Sequence, residues 1–285
     1  MKSSNIGGQA VMEGIMMRHK DKYSIAVRRP DNEIELKVED YKCVFGNAKF
    51  LKYPLIRGVV SFVDSLVVGT KCLMYSAEIA GDEEDEEDKQ KNAALSEEEL
   101  AAKKAKEDKQ FKWLLYVTVA VSIVVSVAAF MLLPYALASL CRRVGASEFA
   151  VTIVEAFVKL ALFMGYMLLI SRMKDIQRTF MYHGAEHKTI FCYEAEEKLT
   201  IENVRKFGRL HPRCGTNFLF LTMLVSIILF SLTGWGSFWQ RLILRIILTP
   251  IVAGITYEII KWLGRTESKL GKIIAYPGLK LQELT

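Results

Sequence analysis

The chain has 285 residues, of which 51% are hydrophobic and 25% are charged, and its formal net charge at pH 7 is +6. This hydrophobic fraction, with a mean hydropathy of +0.19, exceeds that of an average water-soluble domain and excludes an ordinary soluble protein. Five cysteines are scattered without a Cys-x-x-Cys pair, so we expect free thiols rather than a disulfide framework.

Residues 1–80 carry the pattern of a small β-containing region. Segments 23–29 and 33–39 alternate apolar and polar residues on either side of the turn-forming Pro30-Asp31-Asn32, which predicts a β-hairpin. The preceding segment 7–18 predicts a third strand. Because a lone hairpin is only marginally stable in water, we expect it to pack on another part of the protein.

Residues 54–80 form an apolar segment that Arg57, Asp64 and Lys71 interrupt. These charges favour a helix that lies at the membrane interface or re-enters the membrane without crossing it. The alternative is a fifth transmembrane helix, which would place the amino-terminal region on the outer side.

A charged linker and helix are predicted over residues 81–112. Its acidic block at 81–88 is typical of a solvated linker, and calcium binding is the alternative. A capping box at 96–99 predicts the start of a charged helix that continues into the first membrane span.

Four long apolar segments each have the length needed to cross a bilayer core of roughly 30 Å as a helix. They are residues 113–133, 149–171, 218–239 and 242–263. The fold class predicted is therefore a mainly α membrane protein, with a four-helix transmembrane bundle, a small cytosolic β-hairpin region and an interfacial helix. Within the second span, Glu155 and Lys159 favour an intrahelical ion pair, and a polar groove is the alternative.

Four spans place both termini on one side of the membrane, and the basic residues indicate which side. Loop 172–217 contains nine of them: Arg172, Lys174, Arg178, Lys188, Lys198, Arg205, Lys206, Arg209 and Arg213. We therefore expect this loop, both termini and the tail at 264–285 to be cytosolic. The basic face favours the lipid bilayer as its partner, and no aromatic-interleaved basic patch indicates specific nucleic-acid binding.

The sequence YHGAEHK at 182–188 places two histidines and a carboxylate in a His-x-x-Glu-His pattern. In a helix, His183 and His187 lie one turn apart on the same face, as two nitrogen ligands of one metal ion require. Glu186 then lies where a general base belongs. Gly184 opposes this interpretation, since glycine lowers helix propensity.

Two alternatives remain for completing a metal site. Glu258 lies downstream of His187, as the third ligand does in the inverted zincins, and would leave a position open for catalysis. His211 and Cys214 would instead close a four-coordinate structural site with the two loop histidines. Cys214 is also a candidate nucleophile, with His211 or His187 as its base.

Several motifs together resemble the YqhQ-like family of bacterial membrane proteins, whose members are often labelled predicted metal-dependent enzymes. The motifs are GGQAVMEGIMMR at 7–18, PLIRGVV at 54–60, YHGAEHK at 182–188, HPRCGTNF at 211–218, YE at 257–258 and PG at 277–278. The resemblance implies a bacterial cytoplasmic membrane location. It also places seven candidate residues in family motifs: Glu13, His183, Glu186, His187, His211, Cys214 and Glu258.

These observations lead to two main hypotheses. The first is a metal-dependent hydrolase at the cytosolic interface, with zinc or another divalent metal, Glu186 as base and Glu13 as an alternative acid. The second is a non-enzymatic factor for membrane-protein biogenesis or assembly that docks a translocon or ribosome. A transporter is a weaker third candidate, because four spans without visible repeats offer it little basis. The oligomeric state is not indicated.

Overall fold

A computed structural model describes residue 4 and residues 6–46, 48–81, 97–232, 238–266 and 268–285. Most of the acidic block, at 82–88, and Ser96 of the predicted capping box lie outside the described residues. The described chain is mainly helical, with a small amino-terminal antiparallel sheet.

The described helices, in chain order, are α1 (Ile56–Ala80), α2 (Glu97–Val127), α3 (Leu133–Arg143), α4 (Glu148–Ile170), α5 (Lys174–Glu194), α6 (Ile201–Lys206), α7 (Gly215–Leu232), α8 (Phe238–Leu263) and α9 (Lys269–Leu281). A 3₁₀ turn (Lys49–Lys52) precedes α1, and a π-helical turn (Ala128–Leu132) joins α2 to α3. The π turn ends two residues before Pro134, whose missing amide proton disturbs the regular helical hydrogen bonding.

Five apolar segments in these helices are long enough to cross a membrane: Ile56–Ala80, Tyr116–Cys141, Glu148–Ile170, Gly215–Leu232 and Leu242–Leu263. The predicted first, second and fourth spans coincide with three of them to within a few residues, except that the first continues to Cys141. The third differs: its helix begins at Gly215 and ends at Leu232, and Trp239 belongs to α8.

The sheet consists of β1 (Gly7–Val11), β2 (Gly14–His19), β3 (Lys22–Arg28) and β4 (Ile34–Asp40). The strands pair in the order β1-β2-β3-β4, all antiparallel, so the hairpin predicted from β3 and β4 is confirmed. The segment predicted as one further strand forms two, because the chain reverses tightly at Glu13, whose φ is +49°.

The two faces of the sheet pack against different helices. On one face, a buried core joins Val68 and Cys72 of α1 to five residues of the sheet. These sheet residues are Val11, Met16, Tyr23, Ile25 and Val27. On the other face, β1 and β2 pack against α5. The sheet therefore supplies one wall for the helix that holds the two histidines.

Helix α1 contacts two different partners along its length. Near its start, Gly58 approaches Gly254 of α8 so closely that a side chain on either glycine would collide with backbone. Further along, buried Asp64 accepts hydrogen bonds from the Tyr41 hydroxyl (2.6 Å) and the Val44 amide (2.9 Å). Asp64, one of the charges that made this segment a poor transmembrane span, is thus buried within the protein. The interfacial position of α1 stays a prediction.

Contacts divide the chain into two compact units. One consists of Met1–Gly81 and Met167–Thr285, and the other of Asp82–Tyr166. In the second unit the Lys159 ammonium lies 3.4 Å from the Glu155 carboxylate, which confirms the predicted intrahelical ion pair. A single four-helix bundle stays a prediction.

The carboxyl-terminal segment, predicted as a tail, contains α9, which packs on α7 and α8. Leu221, Leu263 and Ala275 form the buried core of this contact. Gly278 of α9 leaves the space that the buried Asn217 amide occupies, and a side chain there would overlap it. The docking of α9 brings the end of the chain to the loop that precedes α7.

Candidate metal centre

Helix α5 positions the His-x-x-Glu-His residues as the pattern predicts. The segment is helical despite Gly184, and the rings of His183 and His187 lie with their centroids 4.3 Å apart. Burial of His187, Glu186 and Ile190 against the rest of the fold outweighs the propensity cost of one glycine. The condition on which the metal hypothesis depended is therefore met.

Cys214 completes a group of three metal-binding side chains. It lies immediately before α7, and its sulfur is 3.1 Å from Nε2 of His183. One ligand atom from each of His183, His187 and Cys214 lies within 4.8 Å of the other two. The Thr216 amide at the start of α7 also points at the sulfur, at 3.3 Å.

A backbone carbonyl orients His187. Its Nδ1 lies 2.5 Å from the carbonyl oxygen of Arg209, which can only accept a hydrogen bond. Nδ1 therefore carries the proton, and Nε2 is left with a lone pair for a metal. Histidine ligands in metalloproteins are typically held by such a bond from their other nitrogen.

Burial controls the protonation of the three groups. It lowers the pKa of His183 to about 4, with a further contribution from His187, and it also lowers the pKa of His187. Both imidazoles are therefore neutral at pH 7, which is the form that binds metals. Burial raises the pKa of the Cys214 thiol to about 11, so this group requires a nearby cation to become a thiolate.

Glu186 is a buried carboxyl group next to this cluster. It is only 4% exposed, and burial raises its pKa to about 8. It packs against β1 at Gly8, where any side chain would overlap the carboxylate. Its negative charge also raises the pKa of Cys214, which is consistent with its position beside the three candidate ligands.

His211 lies beside the cluster but faces another partner. Its ring centroid is 5.3 Å from that of His187, yet its Nδ1 accepts a hydrogen bond from the Arg213 amide and its Nε2 lies 3.3 Å from the Arg213 guanidinium. Burial and the Arg213 charge lower its pKa to about 3. Its role as a fourth ligand stays a prediction.

The tail holds the loop that carries His211. The Gln282 side chain accepts a hydrogen bond from the His211 amide (2.8 Å) and donates one to the His211 carbonyl (2.9 Å). Arg209 of the same loop donates to the carbonyl of Glu283 at 3.2 Å. The loop that orients His187 is therefore fastened by the last turn of the chain.

The two remaining candidate carboxylates are engaged elsewhere. Glu13 accepts two hydrogen bonds from Arg178 of α5, at 2.6 and 2.7 Å, and one from the Tyr182 hydroxyl at 3.1 Å. The Arg178 contact lowers the pKa of Glu13. Glu258 forms a two-pronged ion pair with Arg57, which joins α8 to α1. Neither is among the three clustered groups, and their assignments stay predictions.

Glu258→Gln distinguishes a helix-pairing role from a metal-binding role. We expect the midpoint of thermal unfolding to fall by about 4–8 °C, because about 2 kcal/mol is a reasonable cost for breaking a partly exposed ion pair. Metal content should stay unchanged. The exposed Glu202→Gln is the matched control. Loss of metal at an unchanged unfolding midpoint would make Glu258 a ligand instead.

Several supporting residues were not identified from the sequence. Gly8 lies in a glycine pair that could have suggested a close approach, although not its partner. Gln282 and the Arg209 carbonyl carry no local signal at all. Arg213 ties this loop to the end of α5 through its ion pair with Glu194, which also accepts hydrogen bonds from Ser4.

Comparison with known proteins agrees with the motif resemblance. A family model described as "Protein of unknown function (DUF1385)" matches residues 53–285. The protein of Bacillus subtilis (strain 168) described as "Uncharacterized protein YqhQ" is 35% identical over 292 residues, covering 98% of this chain and 85% of that protein. No solved structure matches the chain. The chain therefore belongs to the DUF1385, YqhQ-like family.

Proposed function

We propose that this membrane protein binds a divalent metal, with zinc the best fit, through His183, His187 and Cys214. The observation that carries the proposal is the convergence of three nitrogen and sulfur ligand atoms within 4.8 Å of one another. The two histidines come from α5 and Cys214 comes from the loop before α7, so proximity in the sequence does not account for the approach of Cys214 to the histidines. Imidazole and thiolate are the ligands that zinc prefers in proteins.

The same residues support a metal-dependent hydrolase. Three protein ligands leave a coordination position open, as catalytic zinc sites do. A metal held there would supply Lewis acidity and lower the pKa of a water molecule to near neutrality. Glu186, whose pKa burial raises to about 8, is suited to accept a proton near neutral pH and to return it to a leaving group.

We further propose that this centre lies at the cytosolic surface of the membrane. The basic residues of loop 172–217 support this side of the membrane, because positively charged loops favour the cytosol. An interfacial α1 agrees with its contacts, because the amide of Met12, in the turn between β1 and β2, donates to Ser76 of α1 at 3.1 Å and the helix covers one face of the sheet. Substrates of this enzyme would be peptides or lipid-linked groups that arrive from the bilayer.

The test uses the full-length chain in phospholipid vesicles, loaded with zinc, and two chromogenic probes: p-nitrophenyl acetate and bis(p-nitrophenyl) phosphate. We expect hydrolysis of at least one probe to depend on zinc and to fall about 100-fold or more in Glu186→Gln, which removes the general base. Glu202→Gln is the control. Hydrolysis that zinc removal and Glu186→Gln both leave unchanged would contradict the enzyme proposal.

A structural metal is the second candidate function. It is favoured by the way the cluster adjoins the sheet, through Glu186 and Gly8, and the tail, through the loop that Gln282 fastens. Such a metal would brace a cytosolic docking surface for a translocon or ribosome. This function predicts stoichiometric partners after mild-detergent purification, their loss on chelation, and no effect of Glu186→Gln on partner binding.

A further inference from the structure

Strand β4 forms a free edge of the sheet in the described part of the chain, since it pairs only with β3. The Arg29 amide donates to the Glu33 carbonyl (2.8 Å) and the Tyr41 amide donates to the Asp21 carbonyl (2.7 Å). In an antiparallel pair, successive residues of a strand direct their backbone N–H and C=O groups alternately at one neighbour and at the other. Because Glu33 and Tyr41 bond to the β3 side, the odd-numbered residues of β4 direct their backbone groups at β3. The even-numbered residues direct theirs at the open edge.

The first three even-numbered residues of β4 are also its apolar residues. Ile34, Leu36 and Val38 are 64%, 66% and 58% exposed, although they lie in a strand of an otherwise packed sheet. Proteins normally protect a free edge with charged side chains or a covering segment, because unpaired backbone next to apolar side chains recruits another strand. These three residues combine both features.

Contacts with α1, on the face of β4 opposite the apolar side chains, fix the register of β4. Glu35 accepts a hydrogen bond from the Tyr75 hydroxyl of α1 (2.6 Å), and Glu39 accepts one from Lys71 (2.7 Å). A one-residue slip would turn these charges away from α1. The apolar residues therefore stay on the face of β4 that points away from α1, and their own backbone groups are the ones that point at the open edge.

We propose that a second copy of this chain pairs with β4, antiparallel, with Leu36 opposite Leu36 of the second copy. The sequence of β4 is self-complementary about this residue: Ile34 meets Val38 of the second copy, and Glu35 meets Lys37 of the second copy. Two four-stranded sheets thereby become one sheet of eight strands. Apolar and opposite-charge cross-strand pairs each stabilise such a contact.

The remaining charges and the symmetry allow this arrangement. Glu33 would lie opposite Glu39 of the second copy, but Glu39 is already paired with Lys37 (2.8 Å) and Lys71 (2.7 Å). The twofold axis is perpendicular to the sheet, so α1 lies on the same side of the sheet in both copies. Both copies can therefore face one membrane, as a closed symmetric dimer requires.

Disulfide trapping of the full-length chain in native membranes tests the register. Leu36→Cys should form a disulfide-linked dimer at least about tenfold more efficiently than the unmodified chain, since opposed residues lie within bonding distance. Ile34→Cys alone and Val38→Cys alone should not, because each would be about 14 Å from its own counterpart. Differently tagged Ile34→Cys and Val38→Cys chains expressed together should cross-link to each other.

Mass measurement of the untouched chain in lipid nanodiscs provides a second readout that needs no substitution. We expect a dimer, and we expect a monomer for Leu36→Pro, which removes an amide that points out of the sheet.

Lys37→Glu should weaken the dimer, and Glu35→Lys combined with Lys37→Glu should restore it. A monomeric unmodified chain, or equal trapping of Ile34→Cys and Leu36→Cys alone, would overturn the proposal. Metal content plays no part in either result.

Discussion

His183→Ala, His187→Ala and Cys214→Ser should each reduce the zinc bound to the purified full-length chain from about one equivalent to below about a tenth. Each substitution removes one of the three ligand atoms that lie within 4.8 Å of one another. Losing a ligand should weaken metal affinity by more than the roughly 10- to 100-fold that is typical of losing a supporting hydrogen bond. Elemental analysis after dialysis against a weak chelator measures the effect.

His19→Ala and Cys141→Ser are the matched controls, since both residues lie outside the cluster and should retain full zinc content. His211→Ala is the informative comparison. Because its ring nitrogens face Arg213, we expect the metal to remain, with affinity lowered by no more than about tenfold. Complete loss of zinc in His211→Ala would support the closed four-ligand site, and zinc retained in His183→Ala would contradict the three-ligand site.

Glu186→Gln should stabilise the metal-free chain at pH 8 by an amount on the order of 5 kcal/mol. Folding raises the pKa of Glu186 from 4.5 to about 8, so the folded state keeps a proton that the unfolded state releases between these values. The free energy of unfolding therefore falls as pH rises from 4.5 to 8, and then levels off. Glutamine has no proton to release and escapes this penalty.

The measurement is chemical unfolding of the chelator-treated chain in detergent at pH 5, 6.5 and 8. The stability difference between Glu186→Gln and the unmodified chain should be small at pH 5 and largest at pH 8. The two chains differ only at residue 186, so the difference between them reports on Glu186, and Glu202→Gln should follow the unmodified chain. A pH-independent difference would show that burial does not perturb this carboxyl. A carboxyl retained at such a cost in stability is characteristic of a functional site.

The local pattern of residues 182–188 was sufficient to predict the alignment of its histidines on the condition that the segment is helical, a condition that the structure meets. Helical periodicity depends on neighbours within a few residues, so the spacing of His183 and His187 determines their proximity once the helix forms. The hairpin of β3 and β4 was predictable for the same reason. The division of residues 7–18 into two strands was missed, because it requires a tight reversal at Glu13 that the alternation does not reveal.

A sequence pattern could not identify the third candidate ligand. Glu258 and Cys214 were both plausible on chemistry, and spacing along the chain favoured neither. The structure places Glu258 against Arg57 and brings the Cys214 sulfur to His183. That outcome depends on how α5, α7, α8 and α1 pack, and the close approach of Gly58 to Gly254 is one of the contacts between α1 and α8.

The sequence by itself determined the class of protein, the apolar helices, the strand alternation and, provided that residues 182–188 are helical, the proximity of His183 and His187. All of these follow from composition and from interactions between residues near one another in the chain. Only the tertiary structure decided which side chains join His183 and His187, that Glu186 is buried against Gly8, and that β4 leaves an apolar edge open. These properties arise where distant segments exclude water together, and burial of that kind has no local signature.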